Sequence, residues 1–435
     1  MNIPVATVGA ATAGALDGLE RLQGPVTVVR RCAELTELVA VSQTGIVRAA
    51  VVAGAAAELT AALAERLGAA GVALVALADD PVLRHRLDVL RIVNAPTNLG
   101  PEPLAELISS AVQALDREPE QAGARTRTAL ADPAAAFPAG TGYGGTDPVP
   151  VGERLREGTI TAVWGPAGAP GRTTVAVNLA AEYAAAGRDV LLIDADTYGS
   201  SVAVSLGLLD ESAGLAQACR LADQGVLDDD ALLRAAADVR LRGHRLSVLT
   251  GITRADRWVE LRPAALAAVL KTARRVAETI IVDCGFSLET DEELSFDTIA
   301  PRRNAATLLV LESADTLYAV GAADSVGVPR LVRALSELTA AVPTADPKIV
   351  LNKVRASSVG RQPESQLAGA WERFGPGQAI TAFLPADYDA VDAALLSGTA
   401  LLETAPASAL RAAIAGLAGV QAGRRRPRRG RGGAK

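Results

Sequence analysis

Residues 159–187 read TITAVWGPAGAPGRTTVAVNLAAEYAAAG. The first six, TITAVW (159–164), form a continuous apolar and β-branched run that is typical of a strand covered on both faces. The last thirteen, VAVNLAAEYAAAG (175–187), are rich in alanine and favour a helix. Between them lies a turn with three glycines that ends in one basic residue and two threonines. A strand, a glycine-rich turn and a helix in this order predict an α/β fold with a ligand at the turn.

Six further apolar runs lie downstream of this stretch and predict more strands of the same sheet. They are DVLLIDA (189–195), LSVLTG (246–251), TIIVDCG (279–285), ATLLVLE (306–312), KIVLNKV (348–354) and AITAFLP (379–385). The pattern predicts a doubly wound parallel-sheet domain over residues 158–422.

Another five β-branched runs, each followed by a helical pattern, occupy residues 1–116. They are VATVGA (5–10), VTVVRR (26–31), AAVVAG (49–54), VALVALA (72–78) and RIVNA (91–95). Strands that alternate with helical segments predict a second doubly wound parallel sheet, flavodoxin-like in size. The chain is therefore expected to hold two α/β domains.

The order and size of this first domain resemble the receiver domain of two-component signalling. A working receiver needs an acidic pair after its first strand and an aspartate after its third, but these places read GAA (9–11) and AGA (53–55). The lysine expected near residues 94–96 is also absent. The resemblance implies a degenerate receiver-like domain used for docking or dimerisation; a flavodoxin-like fold without receiver ancestry is the alternative. Asp79 and Asp80 are expected to cap the next helix, because Pro81 suits its first position.

Two segments have no helical or strand periodicity. Residues 117–157 gather proline, glycine, threonine and charge, which predicts a flexible linker. Residues 423–435 form a basic tail predicted to be disordered, whose last twelve residues carry seven cations and no acid. The net charge of the whole chain is −6, so the rest of the chain carries −13. The tail either contacts anionic lipid or DNA, or serves only as a solvated solubility segment.

Composition excludes several classes of protein. An apolar content of 49% excludes a wholly disordered chain, and an aromatic content of 3% argues against nucleic-acid readers that stack bases on exposed rings. The three cysteines, Cys32, Cys219 and Cys284, are too widely spaced for a disulfide framework or a metal clasp. No apolar run approaches the roughly 18 residues that cross a bilayer, and the N-terminus lacks a basic signal region. We therefore predict a cytoplasmic protein.

The turn at 165–174, GPAGAPGRTT, has the context of a phosphate-binding P-loop. Backbone N–H groups and the helix N-terminus would cradle phosphates, Arg172 would neutralise them, and Thr173 would reach Mg²⁺. The pattern GxxxxGK[ST] requires glycine at 166 and lysine at 172, where this chain has Pro166 and Arg172. Pro170 also removes a loop N–H group. These departures predict weak phosphate binding.

The segment from 158 to about 420 resembles the ParA/MinD superfamily of P-loop ATPases. The deviant Walker A pattern KGGxGKTT aligns with AGAPGRTT (167–174), and acidic residues follow two later strands, in DAD (194–196) and DCG (283–285). The resemblance implies ATP or ADP with Mg²⁺ as cofactors. It assigns cofactor binding to Gly168, Gly171, Arg172, Thr173, Thr174, Asn352 and Pro385, Mg²⁺ binding, partly outer-sphere, to Thr173, Asp194 and Asp283, and a catalytic role in positioning the attacking water to Asp196.

The base-side assignment comes from the same resemblance. Asn352 follows a strand where the family holds the base, and Pro385 lies in the other base-side loop. GTPases use Asn-Lys-x-Asp at the first place, and here the fourth residue is Arg355, an obligate donor that disfavours guanine. Adenine is therefore preferred.

The signature lysine of the family, which makes dimerisation nucleotide-dependent, is Ala167 here. Loss of one cation and alteration of another predict weak or absent ATP hydrolysis. A degenerate receiver-like domain, a linker and an eroded ParA/MinD domain together resemble the CpaE/TadZ proteins of Tad/Flp pilus assembly. This resemblance implies a cytoplasmic, dimeric scaffold, polar or peripheral to the inner membrane face, with the secretion ATPase and inner-membrane pilus components as partners. An active ATPase for chromosome or plasmid partitioning or for septum placement is the alternative.

Overall fold

A computed structural model describes residues 2–9, 18–19, 24–128, 157–208, 213–289 and 302–420. The chain divides into two compact units, one built mainly from residues 1–155 and the other mainly from residues 156–435. The basic tail (423–435) and most of the predicted linker (117–157) lie outside the described residues.

The first unit is a five-stranded parallel sheet with the strand order β2-β1-β3-β4-β5. Its strands are β1 (Ile3–Val8), β2 (Val26–Cys32), β3 (Ala49–Ala53), β4 (Ala73–Leu77) and β5 (Val93–Ala95); its helices are α1 (Leu35–Ser42), a short 3₁₀ turn (Ala56–Glu58), α2 (Ala61–Ala69), α3 (Pro81–Val89) and α4 (Pro101–Thr128). This is the flavodoxin-like order, so the predicted fold class of this domain is confirmed. Helix α4 continues beyond the predicted domain boundary at 116.

Apolar residues fill both faces of this sheet. Leu104 and Ile108 of α4 pack on one face, and Leu38, Leu67 and Leu87 of the other three helices pack on the opposite face. Successive strand residues point to opposite sides, so each strand contributes to both cores. The continuous apolar runs seen in the sequence are the consequence.

At the carboxyl edge of the first sheet, backbone atoms pack closely at the place where a receiver domain would carry its acidic side chains. Gly9 has a φ of 97°, and a Cβ at this position would overlap the carbonyl oxygen of Ala53. Asp80 caps α3 by accepting from Val82 N (2.9 Å), as expected, while Asp79 accepts from Thr97 N (2.8 Å). Neither acid is free at the strand ends.

The second unit is an eight-stranded sheet with the order β13-β12-β11-β6-β10-β7-β9-β8, parallel except for the β8–β9 pair. Its strands are β6 (Thr159–Trp164), β7 (Val190–Ala195), β8 (Ala237–Leu241), β9 (His244–Leu249), β10 (Thr279–Cys284), β11 (Thr316–Ala322), β12 (Pro347–Val354) and β13 (Ile380–Pro385). Its helices are α5 (Arg172–Ala185), α6 (Val202–Ser205), α7 (Gly214–Asp223), α8 (Asp229–Ala235), a 3₁₀ turn (Ala255–Glu260), α9 (Pro263–Val276), α10 (Ala305–Ser313), α11 (Gly327–Ala341), α12 (Ala356–Val359), α13 (Pro363–Phe374), α14 (Tyr388–Ser397), α15 (Leu401–Thr404) and α16 (Ala409–Leu417).

One predicted strand of this domain is wrong. The run ATLLVLE (306–312) lies in helix α10, and the strand follows it as β11. The buried residues of α10 are Ala306, Thr307, Val310 and Leu311, a helical spacing, but a short apolar run does not distinguish the two structures. The antiparallel edge strand β8 was also not predicted, because ADVRL (237–241) is too polar to give an apolar run.

Helix α5 packs between the sheet and the C-terminal helices. Its Glu182, which is 1% exposed, accepts two hydrogen bonds from Arg411 of α16 at 2.5 and 2.7 Å. Leu410 and Ile414 of α16 are buried, so this helix packs on the core. No helix in the described part of the chain combines the length and apolarity needed to span a membrane.

Candidate functional site

The glycine-rich turn after β6 takes up a left-handed backbone at three places. The φ angles are 105° at Gly168, 51° at Ala169 and 96° at Gly171. Glycine is required at 171 for a second reason, because a Cβ there would overlap Asn352 Nδ2. Ala169 adopts its angle at a cost of about 1–2 kcal/mol. The turn is thus a fixed, partly strained loop at the carboxyl edge of the central strand.

Helix α5 begins directly at the end of this turn. Its first intrahelical hydrogen bond runs from Val175 N to Gly171 O (3.0 Å), so the N–H groups of Arg172, Thr173 and Thr174 are not used within the helix. These three N–H groups and the positive end of the helix dipole form an anion-binding position.

Arg172 folds back onto the turn that precedes it. Its Nη1 donates to Gly165 O (3.1 Å) and Pro166 O (3.0 Å), and its Nη2 lies 3.2 Å from Asp196 Oδ2. The side chains of Arg172 and Asp196 are 13% and 6% exposed. Because the pair is nearly buried, its mutual attraction is only weakly screened by water. The cation of the loop is therefore committed to neighbours within the protein.

Two more aspartates lie side by side beneath the turn. Asp194 of β7 and Asp283 of β10 are paired in register on adjacent strands, and both are fully buried. The carboxylate of Asp194 accepts from the backbone N–H groups of Asp196 (3.2 Å), Ser201 (2.9 Å) and Val202 (3.0 Å). Burial raises the pKa of Asp194 to about 7, against these hydrogen bonds.

Asp283 is less well satisfied than Asp194. Thr173 Oγ1 donates to Asp283 Oδ2 at 2.5 Å and accepts from Ser201 Oγ at 3.1 Å. The other carboxylate oxygen, Oδ1, is buried without a partner among the described residues. Burial, followed by the charge of Asp194, raises the pKa of Asp283 well above its usual value. A buried, half-satisfied carboxylate next to a threonine hydroxyl offers oxygen donors to a hard cation.

Two residues near the end of β12 donate hydrogen bonds to the turn. Asn352 Nδ2 donates to Pro170 O (2.8 Å), and Lys353 Nζ donates to Ala169 O (2.7 Å). Lys353 has a φ of 61°, a left-handed backbone that its residue type does not predict. The Asn352 amide is thus engaged by the turn itself, in addition to lying where the family pattern expects a base.

A cleft of 460 Å³ opens above these residues. Seven residues predicted from the sequence line it: Gly171, Arg172, Thr173, Thr174, Asp196, Asn352 and Pro385. Asp194 and Asp283 do not line it and lie buried below, and Gly168 lines an adjacent cleft of 380 Å³. The structure therefore brings the predicted residues together at one edge of the sheet. The cleft is also lined by Ser201, Lys353 and Tyr388, which are not among the predicted site residues. Lys353 is the second residue of the segment compared with Asn-Lys-x-Asp, whereas the other two lie in no distinctive motif.

The described residues contain no group of three histidine, cysteine or acidic side chains arranged to hold a metal ion. The predicted Mg²⁺ residues Thr173, Asp194 and Asp283 are adjacent, but the hydroxyl of Thr173 lies between the cleft and Asp283. Any cation in the cleft would meet this hydroxyl first and the carboxylates behind it.

A family model described as the CobQ/CobB/MinD/ParA nucleotide binding domain matches residues 161–396, more than half of the 435 residues. The chain belongs to this family. The match begins within β6 and covers the turn together with Asp194, Asp196 and Asp283. The second unit is therefore a nucleotide-binding domain of the ParA/MinD family.

Several solved structures of this family are similar to the chain. The cell division ATPase MinD of Pyrococcus furiosus is 21% identical, with coverage of 60% of this chain and 97% of that one and a TM-score of 0.47. MinD of Pyrococcus horikoshii in complex with Mg-ADP is 20% identical, with coverage of 60% and 94% and a TM-score of 0.46. Cobyrinic acid a,c-diamide synthase of Mycobacterium smegmatis, with bound ADP and magnesium, is 16% identical, with coverage of 60% and 93% and a TM-score of 0.42. No curated protein sequence matches the chain.

Proposed function

We propose that this protein is a cytoplasmic, dimeric positioning scaffold of the ParA/MinD type that binds ATP weakly with Mg²⁺ and hydrolyses it slowly or not at all. The observation that carries the proposal is the triple engagement of Arg172 by Gly165 O, Pro166 O and the Asp196 carboxylate. A site whose loop cation is already neutralised attracts phosphate less strongly than one with a free cation.

The residues present fit a magnesium nucleotide. The three residues at the start of α5 whose N–H groups are not used within the helix line the cleft, and the unpartnered Asp283 Oδ1 lies behind Thr173. Arg172, Thr173 and Thr174 would hold the phosphates, Thr173 and Asp283 would hold the cation, and Asn352 and Pro385 would flank the base. When bound, Mg²⁺ supplies positive charge that offsets the charge of the phosphates.

Slow hydrolysis is expected because these residues place little positive charge at the transferred phosphate. Catalysis of phosphoryl transfer needs preorganised positive charge at the transferred group. Ala167 offers none, and Arg172 is a planar fork held in place by three acceptors. Asp196, the residue proposed to position water, accepts from Tyr198 N (2.8 Å), Gly199 N (3.1 Å) and Arg172, so both of its oxygens are already engaged.

The role in Tad/Flp pilus assembly is supported by the combination of domains. A flavodoxin-like sheet with its acidic positions lost precedes a ParA/MinD-family domain, as the CpaE/TadZ resemblance implies. The first domain would dock or dimerise, and the second would respond to nucleotide. The proposed partners are a second copy of the chain, the secretion ATPase and the inner-membrane pilus components.

Co-purification of the full chain with the Tad/Flp secretion ATPase, with and without Mg·ATP, tests this role. We expect co-purification that survives Asp196→Ala, because the scaffold does not depend on turnover. An active partitioning or septum-placing ATPase would instead turn over ATP rapidly and would bind DNA or vesicles in a way that Asp196→Ala disrupts. That result would reject the pilus scaffold and favour the alternative.

A further inference from the structure

A second cleft of 380 Å³ lies on the other side of the P-loop turn. It is lined by residues of the turn, of the segment after β11 and of two later segments: Pro166, Ala167, Gly168, Pro170, Ala322, Asp324, Ser325, Val326, Gly327, Arg330, Arg355 and Ser358. Pro170 lines both clefts, so the turn forms the rim between them. A ligand bound on the turn at Gly171 would therefore lie next to the second cleft.

Strand pairing explains why helix α11 borders the turn. Strand β11 runs parallel to β6, with Ala319 opposite Trp164, so the segments that follow the two strands emerge side by side. Gly165 lies so close to Val320 O that a Cβ would overlap it. Arg330 lies in the first turn of α11, and side chains there point back toward the helix N-terminus. The guanidinium of Arg330 is thereby directed at the turn.

Arg330 contacts the turn at Gly168. A Cβ on Gly168 would overlap Arg330 Nη1, so the guanidinium covers the face of this glycine. The side chain is exposed, and its guanidinium has no hydrogen-bond acceptor or ion-pair partner among the described residues. Asp324, the acid of this cleft, is used elsewhere, since it accepts from Val326 N (3.0 Å) and Gly327 N (2.7 Å).

Four cations line the two clefts, and the other three are committed. Arg172 pairs with Asp196, Lys353 donates to Ala169 O, and Arg355 Nη1 donates to Lys353 O at 3.1 Å. Among the described lining residues, Arg330 is the cation with no protein acceptor. Its planar fork suits a bidentate contact with phosphate oxygens.

We propose that Arg330 binds the terminal phosphate of a nucleoside triphosphate held on the turn and so makes the site prefer the triphosphate to the diphosphate. The proposal rests on the proposed nucleotide binding. The N-terminus of α5 would hold the first two phosphates, and Arg330 would supply at the third phosphate the positive charge that Arg172 does not. A diphosphate ends before this point and gains nothing from it.

Titration calorimetry of Mg·ATP and Mg·ADP with the wild-type chain and with Arg330→Ala tests the proposal. Arg333→Ala is the matched control, because Arg333 is exposed on the same helix and does not line either cleft. We expect Arg330→Ala to weaken ATP binding about tenfold and to change ADP binding by less than about twofold. Arg330→Lys should retain part of the ATP affinity, and Arg333→Ala should change neither affinity.

The outcomes distinguish a failure of the role of Arg330 from a failure of the proposed nucleotide binding. If wild type binds neither nucleotide, the proposed function and this role of Arg330 both fail. If wild type binds both and Arg330→Ala weakens them equally or not at all, the role of Arg330 alone is wrong. A thermal unfolding midpoint unchanged by Arg330→Ala without nucleotide shows that a loss of ATP binding does not come from misfolding.

Discussion

The guanidinium of Arg172 lies 3.2 Å from the carboxylate of Asp196, and the two side chains are 13% and 6% exposed. One is the first residue of the P-loop helix, and the other follows the next strand of the chain. Truncating one partner of so buried a pair lowers the free energy of unfolding, because the other charge is left buried without a partner. The intact pair is neutral overall and attracts a charged ligand only weakly. The charged groups of the site are therefore paired with one another.

The double variant Ala167→Lys, Arg172→Lys should hydrolyse ATP at least about tenfold faster than wild type. A compact ammonium at 172 releases the three acceptors that hold the guanidinium, and a lysine at 167 restores the missing charge. Steady-state phosphate release measures the effect. Arg188→Lys, at an exposed arginine beyond α5, should leave the rate unchanged. A double variant no faster than wild type would mean that the two departures do not limit hydrolysis.

Thr173→Ala should abolish Mg²⁺-dependent nucleotide binding and lower the free energy of unfolding by about 1–3 kcal/mol. The substitution removes the hydrogen bond that Asp283 Oδ2 accepts at 2.5 Å, and Oδ1 has no partner in the described structure to compensate. Chemical denaturation and calorimetry measure the two effects. Thr173→Ser keeps the hydroxyl and should restore both; if serine behaves like alanine, the hydroxyl is not the group that matters.

Gly171→Ala should prevent nucleotide binding, and Gly187→Ala should not. Both glycines have a positive φ, 96° and 85°, so each alanine carries a backbone cost of about 1–2 kcal/mol. A Cβ at 171 would also overlap Asn352 Nδ2, whereas nothing lies within 4 Å of one at 187. Nucleotide affinity separates the two variants, while unfolding free energies report the shared backbone cost. Equal binding by both variants would show that the Gly171–Asn352 contact does not shape the site.

The stability of the second domain should fall as pH rises toward neutrality, and Asp194→Asn should reduce this dependence. Burial raises the pKa of Asp194 from 3.8 to about 7, so the folded state holds the proton over a range in which the unfolded state has lost it. The stabilisation from this group is complete below pH 3.8 and is lost as pH rises through about 7, at no more than about 1.4 kcal/mol per pH unit. Urea unfolding of wild type and Asp194→Asn at several pH values provides the test. Parallel pH profiles would show that Asp194 does not titrate in this range.

The sequence predicted both sheets and the convergence of Asp194, Asp196 and Asp283, because the ends of parallel strands meet at one edge. It failed at ATLLVLE (306–312), because a seven-residue apolar run fits a buried helix as well as a strand. The pairing of Glu182 with Arg411 could not be predicted, since the two residues lie 229 positions apart. The hydrogen bonds that Arg172 donates to the carbonyl oxygens of its own loop depend on backbone angles that no residue pattern encodes.

We propose that the cleft binds a magnesium nucleotide without efficient turnover. Titration of Mg·ATP into wild type and Asp283→Ala, followed by chromatography of the nucleotide recovered from the calorimeter cell, tests it most directly. We expect weak one-to-one binding by wild type, loss of that binding in Asp283→Ala, and recovery of the nucleotide as ATP. Absence of binding by wild type, or recovery of the nucleotide mainly as ADP, would contradict it.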